Sequence, residues 1–167
     1  TVSQYNAFNN HETLHPLVSV LDFSKASPRR LRKTYFGFYL IILKDVVCGD
    51  LRYGKNTYDY QEGTLVFIGP GQVFGADGGD ELYYPKGFGV VFHPDLIKGT
   101  SLGQRINEYN FFSYQVSEAL HISERERTLV LDSFSKIQYE LEHAVDNHSK
   151  MLLSYNIELL LNYCLRF

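Results

Sequence analysis

The feature that most constrains the fold is the regular spacing of turn signals between Gly49 and Phe92. Short apolar runs alternate there with turns such as Gly54-Lys55-Asn56 and Gly69-Pro70-Gly71. Turns at intervals of roughly eight to twelve residues are typical of a β-sandwich or a β-barrel. The predicted strands are 17–23, 35–43, 50–53, 57–61, 64–68, 72–74, 82–84 and 88–92. Helices do not alternate with these strands, which argues against a parallel α/β fold.

The longest apolar run, Tyr35 to Leu43, contains nine residues and is apolar at both odd and even positions. A strand of this kind is covered on both faces. The run is about half as long as a membrane-spanning helix requires. Because there is also no signal peptide and the two cysteines, Cys48 and Cys164, stand alone, we expect a cytoplasmic protein with no membrane contact.

After Phe92 the pattern becomes helical. Asp95 is expected to cap a short helix that ends near Glu108, and 110–116 is expected to be extended. Ser123 and Glu126 form the two ends of a capping box that opens a longer helix. That helix has one apolar stripe, formed by Val130, Phe134, Ile137, Leu141 and Ala144. The polar residues 147–149 are expected to break it before a second helix begins near Lys150.

The second helix is apolar nearly all round, so it must be buried on more than one side. One side can pack on its own domain, and the other needs a partner. We predict a symmetric homodimer along Leu153, Ile157, Leu160 and Cys164, which are spaced four, three and four residues apart. The alternative is that this face docks on a further domain, because the sequence stops without the residues that normally end a helix.

Catalytic and metal-binding patterns are missing from the sequence. There is no H-x-H pair on a predicted strand, the six histidines are scattered, and no G-x-S-x-G motif is present. We therefore expect no enzyme activity and no cofactor. We also predict that elemental analysis of the purified chain will find no stoichiometric transition metal; about one zinc, iron or manganese per chain would contradict this.

Two further features leave alternatives open. The formal net charge of -3 argues against DNA binding by this chain alone. The basic cluster 29–33 of the chain is either an exposed loop, which is the favoured interpretation, or a contact for phosphate. The 13 tyrosines either pack across strands or line a site for a sugar or another small metabolite.

Three segments together resemble the cupin-like sensor domains of AraC-type transcription regulators: the turn–strand–turn of 61–74, the stretch 92–97 beginning Phe-His-Pro-Asp, and 109–114 followed by the two closing helices. The resemblance covers nearly the whole chain. The sequence departs from the family pattern at Glu62 and Thr64, which stand where proline and aspartate are usual, and at Phe74, where histidine is common. The last departure argues against an arabinose-like ligand.

The resemblance implies a mainly β fold, a double-stranded β-helix (a jelly-roll or cupin-like barrel), followed by an antiparallel helix pair. It implies a barrel sensor domain over 1–122 and a helical dimerisation segment over 123–167. The polar residues 1–13 show no periodicity and are expected to form an N-terminal arm of the sensor domain. A small-molecule effector would bind in the barrel, and promoter DNA would be bound only by a helix-turn-helix domain that this chain lacks. The expected effector-binding residues are Tyr39, Tyr53, Tyr60, Phe67 and Phe74. The alternatives are a metal-independent cupin enzyme and a purely structural interaction module.

Overall fold

The computed structural model describes residues 1–30, 32–44, 63–75, 82–113, 119–143 and 146–167. The predicted strands 50–53 and 57–61, with Tyr53 and Tyr60, lie outside the described residues, as does Ala144. The helices are α1 (Val2–Phe8), α2 (Pro94–Ile97), α3 (Ser101–Arg105), α4 (Glu124–Leu141) and α5 (Asn147–Cys164). The strands are β1 (Val18–Asp22), β2 (Arg29–Arg30), β3 (Thr34–Tyr35), β4 (Tyr39–Lys44), β5 (Thr64–Ile68), β6 (Val73–Phe74), β7 (Leu82–Tyr83), β8 (Phe88–Phe92) and β9 (Leu120–His121).

Five strands form one antiparallel sheet in the order β1-β8-β4-β5-β9. Strand β4 lies at its centre, where Ile41 is paired with Phe67 of β5 on one side and with Val90 of β8 on the other. The short strands form two separate ladders, β2 with β7 and β3 with β6. The architecture is therefore mixed, with antiparallel strands first and long helices last, as the sequence indicates. In the part of the chain that the structure describes, these strands do not close into a barrel.

The central sheet is covered on both faces, which confirms the prediction from the apolar run. Odd-numbered side chains of β4, such as Ile41 and Leu43, pack with Phe67, Phe92 and the buried stripes of α4 and α5. Even-numbered side chains face the opposite way. They belong to a second cluster, which contains Leu40, Ile42, Val66, Ile68 and Val91 together with residues of α1. Alternation along the strand thus sorts the side chains onto the two faces.

Helix α4 packs on β1 of the sheet, and α5 packs on α4 and on the short helices α2 and α3. The Ser123 hydroxyl accepts the Glu126 amide and the Glu126 side chain reaches back, so the predicted capping box is confirmed. The apolar stripe of α4 is also confirmed, with Val130, Phe134, Ile137 and Leu141 buried. None of the helices in the described ranges is long and apolar enough to cross a membrane.

Three local predictions are wrong. Helix α5 begins at Asn147, not near Lys150, because the Asp146 carboxylate accepts the amides of His148 and Ser149 and closes a capping box. The segment after β8 forms two short helices. The first is capped by His93 and not by Asp95: the His93 side chain accepts a hydrogen bond from the backbone amide of Asp95. Residues Asn110–Phe112 form a 3-10 turn instead of an extended segment.

The N-terminal segment is a helix and not an irregular arm. Thr1 and Gln4 make a capping box at its start, a signal that the sequence contains. Val2 and Tyr5 point into the core, and the Asn10 side chain donates to the Lys25 carbonyl oxygen at 2.8 Å. Helix α1 is therefore attached to the even-numbered face of the sheet, opposite α4 and α5.

Candidate ligand-binding cavity

A cavity of about 520 Å³ lies on the even-numbered face of the sheet, beneath α1. Its floor includes Ile42 and Lys44 of β4, and Tyr5 and Phe8 of α1 contribute to the opposite wall. The short ladders β2–β7 and β3–β6 supply the remaining sides. This volume is in the range of small-molecule sites, which are typically about 300–1,000 Å³.

Aromatic rings form much of the cavity wall. The lining rings are Tyr5, Phe8, Phe23, Phe36, Phe74 and Tyr83. The Tyr5 and Phe36 rings meet edge to face with their centroids 5.1 Å apart, and Phe36 stacks on Phe38 at 4.9 Å. Edge-to-face and stacked contacts of this kind fix ring orientation. The wall is therefore a packed and shaped apolar surface.

Burial raises the pKa of the Tyr5 phenol to about 12, although Arg29 nearby acts in the opposite direction. The ring consequently stays neutral at physiological pH. Its hydroxyl can donate or accept a hydrogen bond without carrying a charge.

Five basic side chains line the same cavity. They are Arg29 and Arg30 of β2, Arg32 after it, Lys44 at the end of β4, and Lys86. Among the described lining residues there is no aspartate or glutamate. A concave apolar surface lined by charges of one sign concentrates ligands of the opposite sign.

Lys44 is the most deeply placed of these groups, with 5% of its surface exposed. Its position follows from strand alternation, because Lys44 shares the parity of Leu40 and Ile42 and so points to the same side. Burial lowers the pKa of the Lys44 amine to about 8. The ammonium form still predominates at neutral pH, and it is held where water is scarce.

Arg29 connects the cavity wall to α1. Its guanidinium donates to the Asn9 side-chain oxygen at 3.0 Å and lies over the Phe8 ring, 4.3 Å from the ring centroid. Burial lowers the pKa of this guanidinium from its usual range, with Tyr5 and Tyr83 partly opposing the effect. The contact with neutral Asn9 uses one of the five N–H donors of arginine, so the group can donate to a ligand as well.

A glycine with positive φ holds the basic segment in place. Gly75 follows β6 with a φ of 111°, and an added Cβ would collide with the carbonyl group of Arg32. Only glycine combines this backbone conformation with so close an approach. Strand β6, which carries Phe74, therefore lies directly against the chain that carries Arg32.

The expected effector-binding residues divide between the two faces of the sheet. Phe74 lines the cavity. Tyr39 and Phe67 lie on the opposite face, where Tyr39 stacks on Phe92 and Phe67 stacks on Phe111. They pack in the helix-covered core and do not line this cavity. Tyr53 and Tyr60 lie outside the described residues.

Sequence reasoning missed the basic residues of the cavity. The sequence favours an exposed loop for the basic cluster 29–33, yet all three of its arginines line the cavity. Two signals could have identified the site. One is a dense basic cluster in a chain of net charge -3. The other is a lysine that continues the apolar parity of a buried strand, as Lys44 does.

The side chains expected at a dimer interface lie inside the chain. Leu153, Ile157 and Leu160 are fully buried and Cys164 nearly so, and all four belong to the core under the sheet. They cannot contact a second subunit in this arrangement. The reason is that α5 packs on its own domain along this face, with polar support from Ser154, whose hydroxyl lies 3.0 Å from that of Thr100.

A different face of α5 is exposed. Leu152, Tyr155 and Leu159 are 43%, 50% and 47% exposed, and their spacing of three and four residues places them on one stripe. The helix is thus buried on one side and apolar on the other, as its all-round apolar character predicts.

No group of three or more histidine, cysteine, aspartate or glutamate side chains that could hold a metal ion occurs among the described residues. Compared with known proteins, the sequence matches no protein-family model and is not significantly similar to any curated protein.

Proposed function

We propose that this chain is the effector-sensing and dimerisation domain of an AraC-type transcriptional regulator. The observation that carries the proposal is the cavity between α1 and the sheet, on the face opposite α4 and α5. A small molecule bound there would touch the N-terminal helix and the sheet together. The resemblance of 61–74, 92–97 and 109–114 to that family is the reason for interpreting the cavity as the effector-binding site of a regulator.

In this proposal the sensor region has the cupin-like fold that the resemblance implies. The sensor region corresponds to 1–122 and the dimerisation segment to 123–167. Promoter DNA would be bound by a helix-turn-helix domain of the regulator and not by this chain. The chain's own net charge of -3 fits a domain that regulates DNA binding rather than one that performs it.

Dimerisation is assigned to the exposed stripe of α5 instead of its buried face. Two copies of Leu152, Tyr155 and Leu159 can meet about a two-fold axis, because such an interface uses the same patch twice. Complete burial of a leucine is worth about 1.5–3 kcal/mol, and these side chains are already half-buried. Since association costs at least about 4 kcal/mol, we expect a weak dimer, with a dissociation constant on the order of 0.1–1 mM.

A reporter that requires dimerisation tests the dimerisation part of the proposal. The chain is fused to a DNA-binding domain that occupies its operator only as a dimer, and Leu159→Arg is compared with the wild type. We expect about a tenfold or greater loss of operator occupancy, because two charges would face each other across the axis. Lys136→Met, an exposed change on α4, is the matched control and should leave occupancy unchanged.

Two results would contradict the dimer assignment. The first is a wild-type fusion that is inactive, with sedimentation of the isolated chain as a monomer at a concentration of about 1 mM, at the upper end of the expected dissociation constant. The second is a Leu159→Arg fusion that is as active as the wild type. In the first case the exposed stripe would be assigned to another domain of the same protein.

A metal-independent enzyme is the second candidate, and Lys44 is the observation that favours it. A buried amine whose pKa is lowered toward neutrality is a usual nucleophile or base in enzymes. The two candidates differ in the fate of a bound compound. An enzyme converts it, whereas a sensor releases it unchanged, which mass spectrometry of the recovered ligand distinguishes.

A further inference from the structure

The cavity combines two recognition chemistries that suit one class of ligand. Flat apolar rings cover its walls, and basic groups approach it from three directions: Arg29 from β2, Lys44 from the sheet, and Lys86 from the segment after β7. A neutral sugar needs a mixture of donors and acceptors, and the described lining offers mainly cationic donors.

We propose that the effector of this cavity is a small organic anion with a flat apolar body, such as an aromatic carboxylate. This inference rests on the proposed effector-binding function of the same site. The apolar body would lie between Phe74, Phe36 and the rings of α1. The anionic group would be directed to Lys44 and the arginines of β2.

The depth of Lys44 supports the orientation of the ligand. Its surface is 95% hidden, and the described neighbours of the same parity, Leu40 and Ile42, are apolar. A charge-assisted hydrogen bond in such a place is stronger than the same bond at the surface. The anionic group would therefore reach the floor of the cavity, with the apolar body toward α1.

Arg29 supplies a second donor whose direction is already fixed. Its guanidinium is held by Asn9 at 3.0 Å and by the Phe8 ring at 4.3 Å. A pre-oriented planar guanidinium can bind a carboxylate or a phosphate through two parallel hydrogen bonds. Because the same contacts involve α1, an anion bound to Arg29 would also influence the helix that covers the cavity.

Isothermal titration calorimetry with a matched pair of probes tests the inference. Naphthalene-2-carboxylate and naphthalene-2-carboxamide have nearly the same shape and differ in charge. We expect the carboxylate to bind the wild-type chain at least about tenfold more tightly than the amide. Raising the salt concentration should weaken binding of the carboxylate and leave that of the amide unchanged.

Variants connect the preference to the cavity. Lys44→Met should reduce the carboxylate-to-amide ratio to about threefold or less, because it removes the deepest charge and keeps the apolar volume. Arg32→Gln, at an exposed lining position, should also reduce the carboxylate-to-amide ratio. This variant keeps the test decisive if the Lys44 variant does not fold. Lys136→Met removes a charge far from the cavity lining and should leave the ratio unchanged.

Each other result has a definite meaning. Equal affinity for the carboxylate and the amide overturns the charge assignment and leaves the proposed sensing function standing. Absence of binding by either probe overturns the ligand class, while the dimerisation reporter still tests the regulator. Naphthyl phosphate and inorganic phosphate are separate arms: tighter binding of naphthyl phosphate identifies a phosphate headgroup, and binding of inorganic phosphate alone overturns the requirement for a flat body.

Discussion

Replacement of Leu160 by arginine is expected to abolish folding of the chain. Leu160 has no exposed surface and belongs to the core between α5 and the sheet. The change removes a buried apolar side chain, which costs about 2–5 kcal/mol, and leaves a buried charge without a partner, which costs about 3–5 kcal/mol more. The sum is comparable with the whole stability of a domain, about 5–15 kcal/mol.

The matched control is Leu159→Arg, one residue earlier on the same helix. Leu159 is 47% exposed, so its replacement should change the free energy of unfolding by less than about 1 kcal/mol. Circular dichroism and thermal unfolding measure both variants. If Leu160→Arg instead gave a folded monomer with an unchanged spectrum, Leu160 would lie in a subunit interface, and the packing of α5 on its own domain would be refuted.

Replacement of Lys44 by methionine is expected to stabilise the ligand-free chain by about 3 kcal/mol at pH 7. The Lys44 amine has a pKa of about 8 in the folded chain, compared with 10.5 for a free lysine. Burial of this amine therefore opposes folding at every pH at which the unfolded chain binds the proton more tightly than the folded chain does. Methionine fills a similar volume and carries no charge. Residues that serve ligand binding commonly lower the stability of the ligand-free protein.

The pH dependence of this difference follows from the direction of the shift. Between about pH 8 and pH 10.5 the unfolded chain binds more protons at Lys44 than the folded chain does, so stability of the wild type rises with pH. The advantage of Lys44→Met should thus be largest below pH 8 and should disappear toward pH 10.5.

Other groups that titrate in this range do not affect the comparison. Burial raises the pKa of Tyr5 and of Cys164 to about 12, and both shifts make stability fall in alkaline solution. They are present in the wild type and the variant and cancel in the difference. Urea unfolding of both proteins at several pH values measures it; a constant difference from pH 7 to pH 10.5 would show that Lys44 is not desolvated in the folded chain.

Several elements are decided by local sequence. Strands 64–68 and 88–92 are bounded by turn residues, and their bounds agree with the structure residue for residue. The Ser123–Glu126 capping box fixes the start of α4, because its hydrogen bonds involve only residues three apart. The apolar run of β4 also determines that the central sheet is covered on both faces.

The allocation of those two faces was decided by tertiary packing. Strand alternation predicts that Tyr39 and Ile41 share one face and that Ile42 and Lys44 share the other. Because both faces are apolar, the sequence pattern does not indicate which face the helices cover. The same ambiguity applies to α5, where Leu160 and Leu159 are equally apolar and only packing distinguishes them. The basic cavity is lined by residues as distant in sequence as Phe8, Lys44 and Lys86, and no local pattern brings these together.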